Sequence, residues 1–486
     1  MRRPALLLSA AAVVLAPAAA GAQYRTLNQR YVAEAQRQHP QLVEEFGGAE
    51  TGARAAYVQS VGRRVANYSG VPGGAYNFTT LNSAVENAFA VPGGYIYVTR
   101  QLMTIMDDES QLAFALGHEV GHVAANHAQA RQSASQNNSI LGVLGAVLGA
   151  VVGGGFGDLI SQSAQYSSQI RTLSFSRQQE YDADVLALRY LISAGYDPAG
   201  GPGILAALGR SAALEARIQG RDSRQTPEWA STHPLSANRT RQAQVQAQRT
   251  GRLGTGLRNR DQYLAQLEGI YVDDDPAQGI IEGRSFTHPD LRMQFVVPAG
   301  YLMQNSTDAV SIAGGAGQAQ FSGGRFNGNI DQYIYRVFQQ LTGGRTQLAI
   351  PPAQRTVING IPASYTTART NTSGGVVDVT VVAYQWDPNT IYHFVMLTRG
   401  GVGAGPFASM INSLRRITPN EAAAIRPKII DVVTVGAGDT VQSLANRMAY
   451  RDFRFERFLS INGLPANARL VPGQKVKLIV YGNRRR

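Results

Sequence analysis

The 486-residue chain contains no cysteine. That absence excludes disulfide cross-links, a cysteine nucleophile and a lipid-modified N-terminal cysteine. Lysine is nearly missing as well: Lys428, Lys475 and Lys477 are the only three among 45 basic residues, so 42 are arginine, a bias that genome composition also explains. The formal net charge is +12, yet no aromatic-basic platform accompanies it, and nucleic acid is not expected as a partner. Charge at the start has its own reading. Arg2 and Arg3, the apolar run Ala5 to Leu15 and Ala20-Gly21-Ala22 before Gln23 have the layout of a cleaved secretory signal over residues 1–22. Its removal takes the charge from +12 to +10 and predicts an exported, periplasmic protein; the rival is an apolar segment kept as a membrane anchor.

Against these absences stands His118-Glu119-Val120-Gly121-His122. On an α-helix, positions i and i+4 share a face, so the two imidazoles can converge on one ion. Glu119 is turned away by about 100° and can reach a water without ligating the metal. Neutral imidazole nitrogens suit Zn²⁺, which lowers the pKa of a coordinated water to about 7. Glu119 would take that proton as general base during attack on a peptide carbonyl. Asp107-Asp108-Glu109 supplies a helix start ahead of Leu112, Ala113, Leu116, Val120 and Val123 at helical spacing. The competing reading is a chance pattern on an ordinary amphipathic helix.

A catalytic zinc needs three protein ligands and an open position. The candidate third is Glu180, 58 residues after His122, in Ser176-Arg177-Gln178-Gln179-Glu180-Tyr181-Asp182-Ala183-Asp184. Leu173, Tyr181, Val185, Leu186, Leu188 and Leu191 predict a second helix packed beside the first. Asp184, one turn on, can accept the free N–H of a ligating histidine and fix its tautomer. A solvated acidic helix face is the alternative for these residues. Together the two segments resemble the M48 peptidases, and the resemblance extends back to Asn87-Ala88-Phe89-Ala90-Val91-Pro92-Gly93-Gly94-Tyr95-Ile96-Tyr97-Val98 and forward to Thr232-His233-Pro234-Leu235 with Arg239. It covers about residues 40 to 245. It implies a soluble exported zinc metalloendopeptidase with a mainly helical, gluzincin-type domain and a small sheet, one zinc held by His118, His122 and Glu180, and Glu119 as base.

Ala88 to Val91 and Tyr95 to Val98 read as two strands joined by a Pro-Gly-Gly turn. A strand edge beside the metal would capture extended polypeptide through backbone hydrogen bonds, with Asn87, Ala88, Phe89 and Ala90 as substrate-binding residues and broad specificity. A purely structural hairpin is the alternative. In the resembling enzymes the His-Pro histidine lies near zinc, so His233 is a candidate for oxyanion stabilisation or for an inhibitory fourth ligand, against a loop-capping role. His127, five residues past His122, lies off the ligand face and is expected to be structural. His39, His288 and His393 have no partner pattern.

Residues Ile140 to Gly157 carry no charge over 18 residues, near the lower limit for spanning a bilayer. They fall between His122 and Glu180, and a single crossing would put those ligands on opposite sides of the membrane. Seven glycines weaken a helix there by about 1 kcal/mol each relative to alanine. A mobile lid, or a loop giving peripheral membrane contact, is expected instead.

The expected fold class is α+β in three units: the peptidase-like unit over 23–268, a second α+β domain of unknown role over 269–420, and a small unit over 428–481 followed by a basic tail, 482–486. Strands are predicted at Met293 to Val297, Val376 to Tyr384 and Ile391 to Leu397. Helical faces are predicted at Ile330, Ile334, Val337, Phe338 and Leu341, and at Phe407, Met410, Ile411 and Leu414. The last unit, with Val433 to Ala445, Asn462-Gly463-Leu464 and Leu470 to Leu478, resembles a LysM domain, a β-α-α-β module. That resemblance implies binding of N-acetylglucosamine polymers such as peptidoglycan, in a groove between Gly438-Asp439-Thr440 and Asn462-Gly463-Leu464; a non-binding cap is the alternative. Residues 421–486 hold 12 basic and 5 acidic side chains, 12 − 5 = +7, which suits an anionic wall or lipid surface.

Three functions are compatible with this sequence. The first is a periplasmic zinc endopeptidase acting on unfolded or misassembled envelope proteins. The others are a peptidase of cell-wall cross-links and a non-enzymatic chaperone or scaffold bound to peptidoglycan.

Overall fold

The computed structural model describes residues 26–128, 175–218, 233, 237–342, 348–372 and 375–484. The expected signal (1–22), the apolar stretch 140–157, Leu173, Thr232, Pro234, Leu235 and the last two residues of the basic tail lie outside them. Among the described residues no helix is long and apolar enough to cross a membrane. The fold is α+β, as the sequence predicts.

The N-terminal part is built around the helix Glu109–Ala124. Asp108 caps it, its carboxylate accepting the Gln111 backbone N–H at 3.2 Å. Leu112, Ala113, Leu116 and Val120 are fully buried on the face the spacing indicates. Helix Gly52–Ala66 and helix Gly200–Ile218 pack against it. Beside them lies a three-stranded sheet of β1 (Asn77–Leu81), β2 (Ala88–Val91) and β3 (Tyr95–Thr99), in the order β1-β3-β2. β2 and β3 form the expected hairpin, Ala88 opposite Val98 and Val91 opposite Tyr95. β2 therefore stands at the edge of this sheet.

The helix Arg177–Ser193 differs from its prediction in which face it buries. Its N-terminus is a capping box of Ser176 and Gln179. The buried stripe is Glu180, Ala183, Asp184, Ala187, Tyr190 and Leu191, while Val185 is 48% exposed and Tyr181, Leu186 and Leu188 are half-buried. The reason lies in its neighbour, which presents Gly117 and Gly121 to it. A Cβ at Gly121 would lie 3.3 Å from the Ala183 carbonyl oxygen, and one at Gly117 would lie 3.6 Å from the Ala187 Cα. Small side chains let the two backbones approach, so the larger apolar residues flank the contact instead of filling it.

The middle of the chain forms its own double-layered core. A seven-stranded antiparallel sheet runs between Leu302 and Arg399. One face is covered by helix Ile330–Thr342 through Ile334, Val337 and Phe338. The other packs on a four-stranded sheet containing Met293–Val296 and on helix Ala408–Ser413, through Phe295, Phe394, Phe407 and Met410. With both faces covered, the strand Gly375–Asp387 is buried continuously from Asp378 to Tyr384.

The C-terminal unit runs strand Lys428–Thr434, helix Val441–Ala445, helix Arg454–Ile461, strand Lys475–Tyr481. Its sheet has a third strand from within the segment expected to form the middle domain: Tyr271–Val272 pairs with Lys428 and Ile429. Tyr263, Leu264, Leu267, Ile270 and Val272 share one continuous core with Ile430, Leu444, Phe458 and Ile479 and with the helices around Leu112 and Leu116.

Candidate active site

His118, His122, Glu180 and His233 each offer a ligand atom, and these atoms all lie within 4.8 Å of one another in a buried cluster. Three separate stretches of chain supply them. The His118 and His122 Nε2 atoms are 3.0 Å apart, and the Glu180 carboxylate lies 3.4 Å from His118 Nε2 and 3.5 Å from His122 Nε2. His233 Nδ1 is 3.0 Å from Glu180 Oε1, and its Nε2 is 3.6 Å from Glu119 Oε1. Two imidazoles and a carboxylate aimed at one centre are the donor set that suits zinc. Glu119 sits beside the cluster, 2% exposed, with Oε2 lacking a hydrogen-bond partner among the described residues.

A second layer holds this arrangement. His118 Nδ1 is 3.0 Å from Asp184 Oδ1. Arg239 makes a two-pronged contact to Asp184, Nε to Oδ2 at 2.6 Å and Nη2 to Oδ1 at 2.8 Å, and its Nη1 lies 2.7 Å from Glu180 Oε2. The sequence marks Arg239 only as part of the forward motif and does not show its pairing with both carboxylates. The same is true of His127. It is off the ligand face, as expected, yet its Nδ1 is 2.9 Å from His122 Nδ1. The helix ends at Ala124, and Asn126 adopts a left-handed conformation (φ 54°) that turns the chain back under His122. An Asn just past the apolar series was the available signal.

Residues 52–247 match the model of peptidase family M48, and residues 433–478 match that of the LysM domain. The chain carries an M48 domain and a LysM domain. The beta-barrel assembly-enhancing protease of Escherichia coli (strain K12) is 30% identical over 203 residues, 39% of this chain and 38% of that protein. The mitochondrial metalloendopeptidase OMA1 of Arabidopsis thaliana is 31% identical over 173 residues, 36% of this chain and 32% of that protein. The matches thus span less than two-fifths of either relative. Among solved structures, one from Bacteroides thetaiotaomicron VPI-5482 covers 42% of this chain and 88% of its own at 12% identity, with a TM-score of 0.24. The cyanobacterial PsbP of Synechocystis sp. PCC 6803 covers 27% and 91% at 10% identity, with a TM-score of 0.23. Likeness this slight assigns no fold.

The electrostatics of the M48 cluster follow from burial and from its two carboxylates. Burial works against charge on His118, but Asp184 and Glu180 outweigh it and hold the ring up at about 9. Burial lowers His122 well below the usual histidine range. Burial also opposes ionisation of Glu180, yet His233, His118 and His122 hold its carboxyl far below the ordinary carboxylate range. Glu119 is raised, chiefly by burial, with His233 and His118 pulling the other way. The cluster is therefore a pocket whose carboxylates attract positive charge, as a site for a divalent cation requires.

Asn87, directly before β2, is fully buried, and among the described residues neither atom of its side-chain amide has a hydrogen-bond partner. An apolar groove passes from His122 and Phe175 along Val123, Ala90 and Pro92 to Tyr31.

In the LysM domain, the two loops named in the sequence are shaped by their own residues. Gly438 has φ +90°, the Asp439 carboxylate accepts the Gly436 N–H at 2.8 Å, and Thr440 caps the following helix. Asn462 is buried; its amide donates to the Phe458 and Lys477 carbonyls and accepts the Lys477 N–H at 2.7 Å. Gly463 lies beside Asp107 and Arg210 of the M48 domain, and Leu464 packs against the shared core.

Proposed function

We propose that this protein is a zinc-dependent metalloendopeptidase that hydrolyses peptide bonds of unfolded or misassembled proteins of the bacterial envelope. The observation carrying this reading is the convergence of His118, His122 and Glu180 from two distant helices, with Glu119 buried alongside and one of its oxygens without a partner among the described residues. The three would hold one Zn²⁺, which when bound supplies Lewis acidity toward a water and toward the scissile carbonyl. Glu119 accepts the water's proton and returns it to the leaving amine; a carboxyl raised by burial suits both transfers. Asp184 and Arg239 keep His118 in the tautomer that presents Nε2. His233 stands within reach of Glu180 and Glu119, placed to stabilise a developing oxyanion or to close the site as a fourth ligand.

Substrate would extend along β2, adding a strand to the sheet edge, with the Asn87 amide, which has no partner among the described residues, reading its backbone and the apolar groove taking one side chain. Recognition through main-chain groups favours unfolded polypeptide of many sequences. The LysM domain would bind N-acetylglucosamine polymers through the backbone of its two loops and hold the enzyme to peptidoglycan in the periplasm, aided by its positive charge. That domain also favours a second reading, cleavage of peptide cross-links in the wall itself. Release of soluble muropeptides from purified wall, with casein left intact, would select it.

The deciding measurement pairs metal content with cleavage of casein. Glu119→Gln should retain one zinc per chain and lose cleavage by about 10²- to 10⁴-fold, the usual worth of a general base. Cleavage equal to wild type would falsify the role of Glu119 as base, and no cleavage by either protein would leave a scaffold.

A further inference from the structure

A strand in a sheet covered on one face alternates between core and solvent. The strand Lys475–Tyr481 of the LysM domain does not: Val476, Lys477, Leu478 and Ile479 are all buried. Lys477, on the face opposite Val476 and Leu478, is 0% exposed. Its ammonium donates to the carbonyls of Thr104 at 3.0 Å and Met106 at 2.5 Å, and lies 3.5 Å from Asp107 Oδ1. All three belong to the M48 domain. Those carbonyls end the helix Arg100–Ile105, where backbone oxygens lack helical partners and a cation is favoured. The next residue, Asp108, caps the helix that carries His118, Glu119 and His122.

Further contacts join the two domains. Arg100, wholly buried, donates to the Tyr271 carbonyl at 2.8 Å and the Asp273 carbonyl at 2.6 Å, beside the LysM sheet's third strand. The Asp273 carboxylate receives both Lys428 Nζ at 2.9 Å and the Tyr450 hydroxyl at 3.0 Å. Arg217 lies 3.2 Å from Glu456 and over the Phe453 ring. A tethered module needs none of this.

We propose that the LysM domain is a built-in part of the M48 domain rather than a leashed anchor, and that Lys477 is a positioning residue that fixes the turn Thr104–Asp108 from which the catalytic helix starts. Glycan bound by the module would then present the peptide cleft at one set orientation. The kinetic consequence rests on the peptidase reading; the docking does not, so the two fail separately.

The test uses the full mature chain. Native-state hydrogen exchange should show the amides of Lys475–Tyr481 and of Glu109–Ala124 opening together, as one cooperative unit. Exchange of the module at least about 100-fold faster than the helix overturns the docking, whatever the activity. Lys477→Glu is the matching variant, since an independent module would carry a carboxylate at that alternating position in solvent. It should abolish the shared opening and lower kcat per bound zinc by about 10-fold or more at unchanged KM, ångström-scale misplacement costing up to about 100-fold. Lys477→Met, which keeps the stem and loses the donors, should fall between. Lys477→Glu with kcat per bound zinc within about two-fold of wild type overturns the positioning role.

Discussion

At the scale of single residues, what the sequence could reveal was set by helical spacing. His118, His122, Glu180 and Asp184 lie on regular helices, so their shared faces can be read from their numbers. His127 could not be read this way, because its place depends on where the helix stops and on a left-handed residue after it. Its contact gives it a task. A His122 that offers Nε2 to a cation carries its hydrogen on Nδ1, so Nδ1 donates to His127 Nδ1 across the 2.9 Å contact. His127 is then neutral with its own hydrogen on Nε2. Loss of such an outer partner usually costs about 10- to 100-fold in metal affinity. His127→Ala should therefore weaken zinc binding by that factor in chelator competition while leaving the fold intact; unchanged affinity would reduce His127 to packing. Arg239 was visible in its motif but silent as to role, since nothing along the chain says that it would meet two carboxylates at once.

At the scale of elements, the metal cluster depends on how closely two helices approach. Of the apolar residues expected at the contact, Val185 turns to solvent and Leu186 and Leu188 pack only at its margin, because apolarity alone does not say which face a neighbour can reach. Gly117 and Gly121 decide it, and the buried stripe runs through Ala183 and Ala187 instead. The two glycines differ in the room they leave. A methyl at Gly117 meets its nearest atom at 3.6 Å, an ordinary contact, and alanine is favoured over glycine in a helix by about 1 kcal/mol. Gly117→Ala should raise thermal stability and keep zinc. At Gly121 the methyl would already stand 3.3 Å from both the Ala183 oxygen and Leu186 Cβ. The branched side chain of Gly121→Val must push the helices apart, at about 1–3 kcal/mol for overpacking, and carry Glu180 away from the imidazoles. Zinc affinity should fall with stability in that variant alone. Equal zinc binding by both variants would show that the helix contact does not set the cluster.

At the scale of the whole molecule, composition and texture separated three units along the chain but could not show which of them share a core. The LysM domain and the M48 domain are buried in one continuous cluster, drawn together by contacts between residues more than 370 positions apart such as Lys477 and Thr104. The middle domain keeps two clusters of its own on the faces of its large sheet. Two cooperative blocks are therefore expected, and acid should act on the middle one through a buried histidine. His393 lies in the middle domain's sheet, its Nδ1 2.9 Å from the Tyr333 hydroxyl, and burial lowers its pKa from 6.5 to about 4. The unfolded chain takes up this proton near pH 6.5 and the folded sheet only near 4, so between those values unfolding binds a proton. Stability contributed by the neutral ring is thus complete above pH 6.5 and declines by about 1.4 kcal/mol per pH unit on acidification, levelling off near pH 4. Calorimetry from pH 7 to pH 5 should show the middle-domain transition moving to lower temperature. His393→Gln, which cannot take up the proton, should flatten that dependence, and an equal pH slope in the variant would place the acid sensitivity elsewhere.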